Sequence, residues 1–188
     1  MADRFQLHVN GTTRGANDAV TLAPTWDGPT PPEGAPQIIP RHGVYLNPLN
    51  PHDPQDQLRL RAYLWPDQPE RMARTIAAID CYDAQVDRGD AIDWLANQLD
   101  HQTGQLHLIY HTIAWQYFPA DVQNRGRTLI EAAGRKATDD APLAWFGMEP
   151  DGDSPGAAMT LRIWPSDITV DIGRMDFHGR WINWKGWI

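Results

Sequence analysis

Tyr110-His111-Thr112 closes a short apolar run that begins at Leu106, and Trp115 and Tyr117 follow close behind. Leu106, Leu108, Ile109 and Tyr110 read as a strand buried on both faces. A histidine at the tip of such a strand can exchange a proton near neutral pH, which makes His111 the candidate general base. Glu149 ends a second apolar run, Leu143 to Met148. If the two strands are parallel it reaches the same edge, where a carboxylate can orient a base or a substrate. Thr112, Trp115 and Tyr117 offer a hydroxyl and two aromatic faces on the substrate side, although aromatics after a buried strand more often serve as core or lid packing.

His178-Gly179-Arg180 sits between two later strands. Arg180 can hold a carboxylate or phosphate by two parallel hydrogen bonds, or it can pair within its own turn with Asp176 or Asp171. No metal site is indicated. His107 and His111 are four apart, but on a strand they share a face about 13 Å apart. The single cysteine, Cys81, excludes a disulfide framework and a cysteine-based zinc site.

The elements that would position these residues follow from pattern. Phe5, Leu7 and Val9 alternate as a strand does, Asn10-Gly11 follows, and Val20 to Trp26 is a second strand candidate that could close a loose hairpin. Pro24 to Pro36 reads as an irregular connector. Gln37 to Leu46 is a strand interrupted by Pro40. Asp53-Pro54 starts a helix whose Leu58, Ala62 and Trp65 form an apolar face up to Pro66. Asp67 and Glu70 are spaced as a capping box for a second helix carrying Met72, Ile76 and Ile79. Ala84 to Asp87 is a short strand. Asp90 then caps a helix with Trp94, Leu95 and Leu99.

After the strand that ends at His111, Pro119 opens a helix whose Val122, Leu129, Ile130 and Ala133 face inward, with Gly134 near its end. Met159, Leu161 and Ile163, then Ile168, Val170 and Ile172, alternate as an antiparallel hairpin. Trp181 to Trp184 is a last strand, and Trp181, Trp184 and Trp187 pin the C-terminus by packing. Strands alternating with helices, then strands alone, imply a parallel sheet with helices on its faces and an antiparallel edge.

The chain has 188 residues and a net charge of −8, with no basic stripe. Nucleic acid is therefore not an expected partner. No apolar run reaches membrane-spanning length and the N-terminus lacks a signal-peptide core, so no membrane partner is expected and the cytoplasm is the expected compartment.

Five stretches resemble one bacterial family, known only as domain-of-unknown-function family 2332. They are Gly43-Val-Tyr-Leu-Asn-Pro-Leu49, Leu60-Arg-Ala-Tyr-Leu-Trp-Pro-Asp-Gln68, Val86-Asp-Arg-Gly-Asp-Ala91, Tyr110-His-Thr-Ile-Ala-Trp-Gln-Tyr-Phe-Pro119 and Asp176-Phe-His-Gly-Arg-Trp181. From about residue 37 the chain is similar to the C-terminal two-thirds of that family. The resemblance implies an α/β fold: a three-layer αβα sandwich with a Rossmann-like, methyltransferase-type mixed sheet and an antiparallel C-terminal hairpin. Residues 1–36 would be N-terminal strands and connector, and residues 37–188 the methyltransferase-like domain. By position it implies that Tyr45, Asp90 and Tyr110 meet the cofactor S-adenosylmethionine, that the tip at His111 faces the methyl group, and that a small molecule is the ligand.

Two departures from the family bear on function. The family's first strand and its glycine loop, Gly-Ala-Ser-Ala-Gly-Leu-Asn, would precede the segment Asp3-Arg4-Phe5, and the chain begins at Met1. Tyr45 also stands where the family usually has an acid able to hold ribose hydroxyls. Loss of a central strand leaves facing unpaired edges, which are unfavourable. The gap should be closed by strand 37–46 pairing with 105–111, by strand 4–9, or by another subunit as a homo-oligomer. The favoured expectation is a degenerate, non-catalytic domain. The alternative is an S-adenosylmethionine-dependent methyltransferase acting on a small molecule.

Overall fold

A computed structural model describes residues 4–15, 19–34, 36–39 and 41–186, so the expectations placed on Met1, Pro40 and Trp187 lie outside the described residues. The fold is mixed α/β, with a six-stranded mixed sheet and four α-helices among the described residues. The chain forms two compact units: residues 1–23 with 32–91, and residues 24–31 with 92–188.

In the first unit, strand β1 (Phe5–Val9) turns at Asn10-Gly11 into β2 (Thr12–Arg14). Both turn residues have positive φ, 47° and 72°, as a two-residue hairpin of primed type requires. The hairpin is thus tighter than expected. Its partner is β2, while β3 (Val20–Leu22) runs parallel on the other side of β1. Val9 and Val20 are buried there.

A separate two-stranded sheet joins β5 (His42–Tyr45) to β6 (Gln85–Arg88) in parallel, with Tyr45 opposite Arg88. Helix α1 (Pro54–Ala62) starts as the sequence implies: the Asp53 side chain accepts from the amides of Gln55 and Asp56. Its apolar face is not buried, however. Leu58 and Trp65 are largely exposed and α1 contributes no buried residue. Helix α2 (Pro69–Asp80) buries Ile79, but its N-cap is Gln68, without a side-chain bond, so the Asp67 capping box does not form.

In the second unit the sheet order is β4 (Thr25–Asp27), β11 (Trp181–Trp184), β10 (Ile168–Met175), β9 (Ala157–Trp164), β8 (Leu143–Glu149) and β7 (His107–Thr112). The element β4 (Thr25–Asp27) lies within the stretch expected to be irregular, so Val20 to Trp26 is two strands of two sheets. β4 runs parallel to β11 (Trp181–Trp184), where Trp26 meets Trp184 with ring centroids 6.0 Å apart. β9 (Ala157–Trp164) and β10 (Ile168–Met175) form the expected hairpin. A register shift between Asp171 and Gly173 interrupts it. Gly173 has φ 130°, and a Cβ there would meet the Asn183 carbonyl oxygen at 2.0 Å, so only glycine fits.

Helix α4 (Ala120–Gly134) packs on one face of this sheet. With α3 (Ala91–Leu95) it builds a core from Ile92, Leu95, Ile130, Ala133, Leu143 and Trp164. Fully burying a side chain such as Ile130 or Leu143 stabilises by roughly 1.5–3 kcal/mol. Ala144, Met148, Ala157, Met159, Leu161 and Ile172 make a second cluster.

The central expectation changes most. β7 (His107–Thr112) runs parallel to β8 (Leu143–Glu149) in register, His111 opposite Gly147. Yet β7 is the edge of its sheet rather than a strand buried on both faces. His107, Ile109 and His111 are partly buried, while Leu108 and Tyr110 stand out at 51% and 64% exposure. Neither closure expected within the chain occurs. β5 pairs with β6, β1 with β2 and β3, and no described strand pairs with the outer edge of β7. A run of apolar residues reports affinity for a buried place, but which strand comes alongside is a long-range outcome that local pattern does not carry.

Candidate functional site

Because β7 and β8 are co-directional, their carboxyl ends bring His111 and Glu149 together. His111 Nδ1 lies 2.7 Å from Glu149 Oε1. The same oxygen accepts the backbone amides of Ala114 and Trp115, each at 2.9 Å. The loop turns back to do so at Ile113, whose φ of 49° is unusual for a β-branched residue. Trp115, in a single 3₁₀ turn (Trp115–Tyr117), stacks on His111 with centroids 4.9 Å apart at 25°. It also meets Trp145 at 5.4 Å and Phe118 at 5.6 Å.

Burial alone would raise the Glu149 pKa, but the amides of Ala114 and Trp115 and the His111 ring outweigh it and hold the carboxyl below its ordinary value. Burial pushes the His111 pKa down, against the opposing pull of Glu149. The pair at neutral pH is therefore a carboxylate beside a neutral imidazole. A carboxylate only accepts, so Nδ1 carries the proton and Nε2 is the bare lone pair. That nitrogen is a base in electronic terms. It is also buried and lacks a hydrogen-bond partner among the described residues, as do Glu149 Oε2 and Trp145 Nε1. A Cβ built on Gly147 would lie 3.1 Å from His111 Cε1 and 3.4 Å from Nε2, so the ring rests against the β8 backbone.

The other candidates are placed as follows. Thr112 and Tyr117 are exposed, and Tyr110 projects from the strand face opposite His111. Arg180 is committed within its own turn: its Nη2 and Nε donate to the two oxygens of buried Asp176 at 2.7 and 3.0 Å. Asp176 also accepts the amides of His178 and Arg180, which holds its carboxyl far below the usual range, the Arg180 guanidinium being the main cause.

In the first unit, Tyr45 ends β5 and is exposed, and the neighbouring Arg88 donates to Asn47 Oδ1 at 2.8 Å. Asp90 is exposed and directly precedes α3. A nucleoside's paired ribose hydroxyls need strong acceptors, and the β5 tip offers a phenol beside an Arg–Asn pair. These residues fit S-adenosylmethionine poorly. A cleft of about 320 Å³, lined by Tyr45, Pro48, Leu49, Leu60, Tyr82 and Val86, is mainly apolar.

Sequence reasoning missed Gly147, Trp145 and Ile113. Gly147 interrupts an apolar run, which is a signal for close approach and points to the His111 ring. Nothing in the letters marks the backbone of Ile113. Among the described residues no group of three or more His, Cys, Asp or Glu is placed to hold a metal ion, and no helix is long and apolar enough to cross a membrane.

The model of a family described as an uncharacterized protein conserved in bacteria, DUF2332, matches residues 1–184. The chain belongs to this family. The match extends over nearly the whole chain, so the resemblance is not confined to the C-terminal two-thirds of the family from about residue 37 as expected. No curated protein and no solved structure matches the chain.

Proposed function

We propose that this member of the family is a non-catalytic, methyltransferase-like binding domain, in which His111 and Glu149 lock the loop after β7 instead of exchanging protons with a substrate. One observation carries this reading: the only nitrogen of His111 free to act as a base is buried against Gly147. To expose it the ring must rotate away from Glu149 and out from under Trp115. The saturated Glu149 Oε1 supports the same reading, as does the phenol of Tyr45 at the β5 tip.

Calorimetric titration of the chain with S-adenosylmethionine tests it. No heat of binding at millimolar cofactor is the expected result, and micromolar affinity overturns the proposal.

A second reading has an observation of its own. His111 is held neutral with an unshared lone pair, the state a general base requires. On that reading the chain transfers a methyl group to a small molecule in the cytoplasm, with Tyr45, Asp90 and Tyr110 toward the cofactor. Thr112, Trp115, Tyr117, His178 and Arg180 would then face the substrate. Cofactor binding together with loss of turnover in His111→Gln, at unchanged affinity, would establish it.

A further inference from the structure

The free edge of β7 has a side-chain pattern and a backbone polarity that fit one occupant. We propose that a second copy of this chain docks there, the two β7 strands pairing antiparallel about a two-fold axis at Ile109 to make one continuous sheet.

Backbone polarity comes first. The amide of His107 donates to Pro142 O at 3.0 Å and that of Ile113 to Met148 O at 2.9 Å, so the odd-numbered residues of β7 face β8. In a parallel ladder the intervening residues then point their N–H and C=O groups the other way. Leu108, Tyr110 and Thr112 therefore present donors and acceptors to the open side, where no described strand pairs with them. A two-fold axis at Ile109 sets Leu108 opposite the second copy's Tyr110, and Tyr110 opposite its Leu108. Both are outward-facing residues, which is the pair that exchanges two hydrogen bonds in an antiparallel ladder. Thr112 falls opposite Leu106 of the other copy in the same pattern.

The side chains agree with this register. Leu106, Leu108 and Tyr110 are 57%, 51% and 64% exposed. The paired arrangement covers Leu with Tyr twice over, an aromatic–aliphatic contact across strands. The whole segment Leu106–Thr112 carries no Asp, Glu, Lys or Arg. A chain of net charge −8 thus meets its copy at a neutral line, with no like charges opposed.

The contrast with the other end of the same sheet is informative. β4 is three residues long, ends in Asp27, and is bracketed by Pro24 and Pro29. Those are the usual devices that keep an edge from pairing. β7 has six residues, regular register with β8, no proline and no bulge. Only one end of the sheet is protected, which is what a pairing edge requires. The inference holds whether or not His111 is catalytic.

The test uses the full chain. Sedimentation at tens of micromolar should give twice the 21.2 kDa chain mass. Leu108→Lys and Tyr110→Lys, both at exposed positions, should raise the dimer dissociation constant at least about tenfold while the circular dichroism spectrum is unchanged. In a Cys81→Ala background, Ile109→Cys should form an intermolecular disulfide under mild oxidation, because facing Cα atoms of such a pair lie about 4.5 Å apart. Tyr110→Cys should cross-link more slowly. A monomer throughout overturns the proposal and leaves a different chain as the partner of this edge. A dimer insensitive to both lysine variants, or cross-linking faster at 110 than at 109, overturns the interface or its register.

Discussion

Trp115 covers His111 face to face, and its own amide donates to the Glu149 oxygen that lies against His111 Nδ1. The loop after β7 is therefore held to the pair twice, once through a ring and once through its backbone. Ile113 can keep a left-handed backbone only because those bonds over-determine it, since such strain amounts to about 1–3 kcal/mol. The carboxylate is the common point of the arrangement.

Removing that carboxylate should have a large effect. Glu149→Ala leaves the amides of Ala114 and Trp115 and the His111 ring without their acceptor in a partly buried place. The expected loss is about 2–3 kcal/mol in urea unfolding. Glu149→Gln keeps an acceptor oxygen and should lose about 1 kcal/mol. Equal losses in the two variants would show that the negative charge, and not the oxygen, holds the loop.

Stability should fall on mild acidification. The folded-state pKa of His111 lies below its ordinary value of 6.5, mainly through burial. Below 6.5 the unfolded chain takes up a proton that the folded chain resists, so the contribution of this residue is complete above that pH. It is lost as pH falls from 6.5 toward the lowered folded value. Glu149 adds a second loss at more acid pH, below its ordinary 4.5, because its folded pKa is depressed. Chemical denaturation between pH 7.5 and 5 should show the first decline, and His111→Gln should reduce it, leaving the share of His107, whose pKa burial also lowers.

How much of this could be read from the letters differs by residue. The β9–β10 hairpin was legible because strict alternation survives where one sheet face is buried. The meeting of His111 with Glu149 was legible too, since both close apolar runs that read as parallel strands. The edge status of β7 was not, because exposure of Leu108 and Tyr110 depends on a neighbour far away in sequence. The exposed face of α1 is a similar case: Leu58, Ala62 and Trp65 have the right spacing, but spacing states only that a face can be buried. The backbone of Ile113 is a tertiary result, imposed by the carboxylate it serves.

Gly134→Ala should destabilise the chain although alanine is the better helix former. A Cβ at this position falls 2.4 Å from two atoms of the Trp164 indole, which is 2% exposed and has no room to withdraw. Helix propensity would favour alanine by about 1 kcal/mol. Overpacking of a closed core typically costs about 1–3 kcal/mol, so the net sign is destabilising or near zero. Thermal unfolding of this variant beside the parent chain reads the net sign. A clear rise in melting temperature for Gly134→Ala would mean that α4 can shift away from Trp164.

The turn at Asp176 separates a ligand-binding arginine from a structural one. The Asp176 side chain is 6% exposed and takes four donors, two from the Arg180 guanidinium and two from backbone amides. The Arg180 side chain is 76% exposed, so its loss returns little buried charge. Arg180→Ala should therefore change stability little, and less than Asp176→Ala does, as exposed ion pairs are screened by solvent. Asp176→Ala strands the amides of His178 and Arg180 and should lose about 2–3 kcal/mol. Because the Asp176 pKa is depressed, that contribution is present above its ordinary 3.8 and disappears as pH falls through the folded value. If Arg180 instead serves to hold an anionic ligand, Arg180→Ala would be the more damaging of the two in a phosphate-binding titration, and phosphate would stabilise the parent chain in thermal unfolding. The bidentate grip of Asp176 predicts neither.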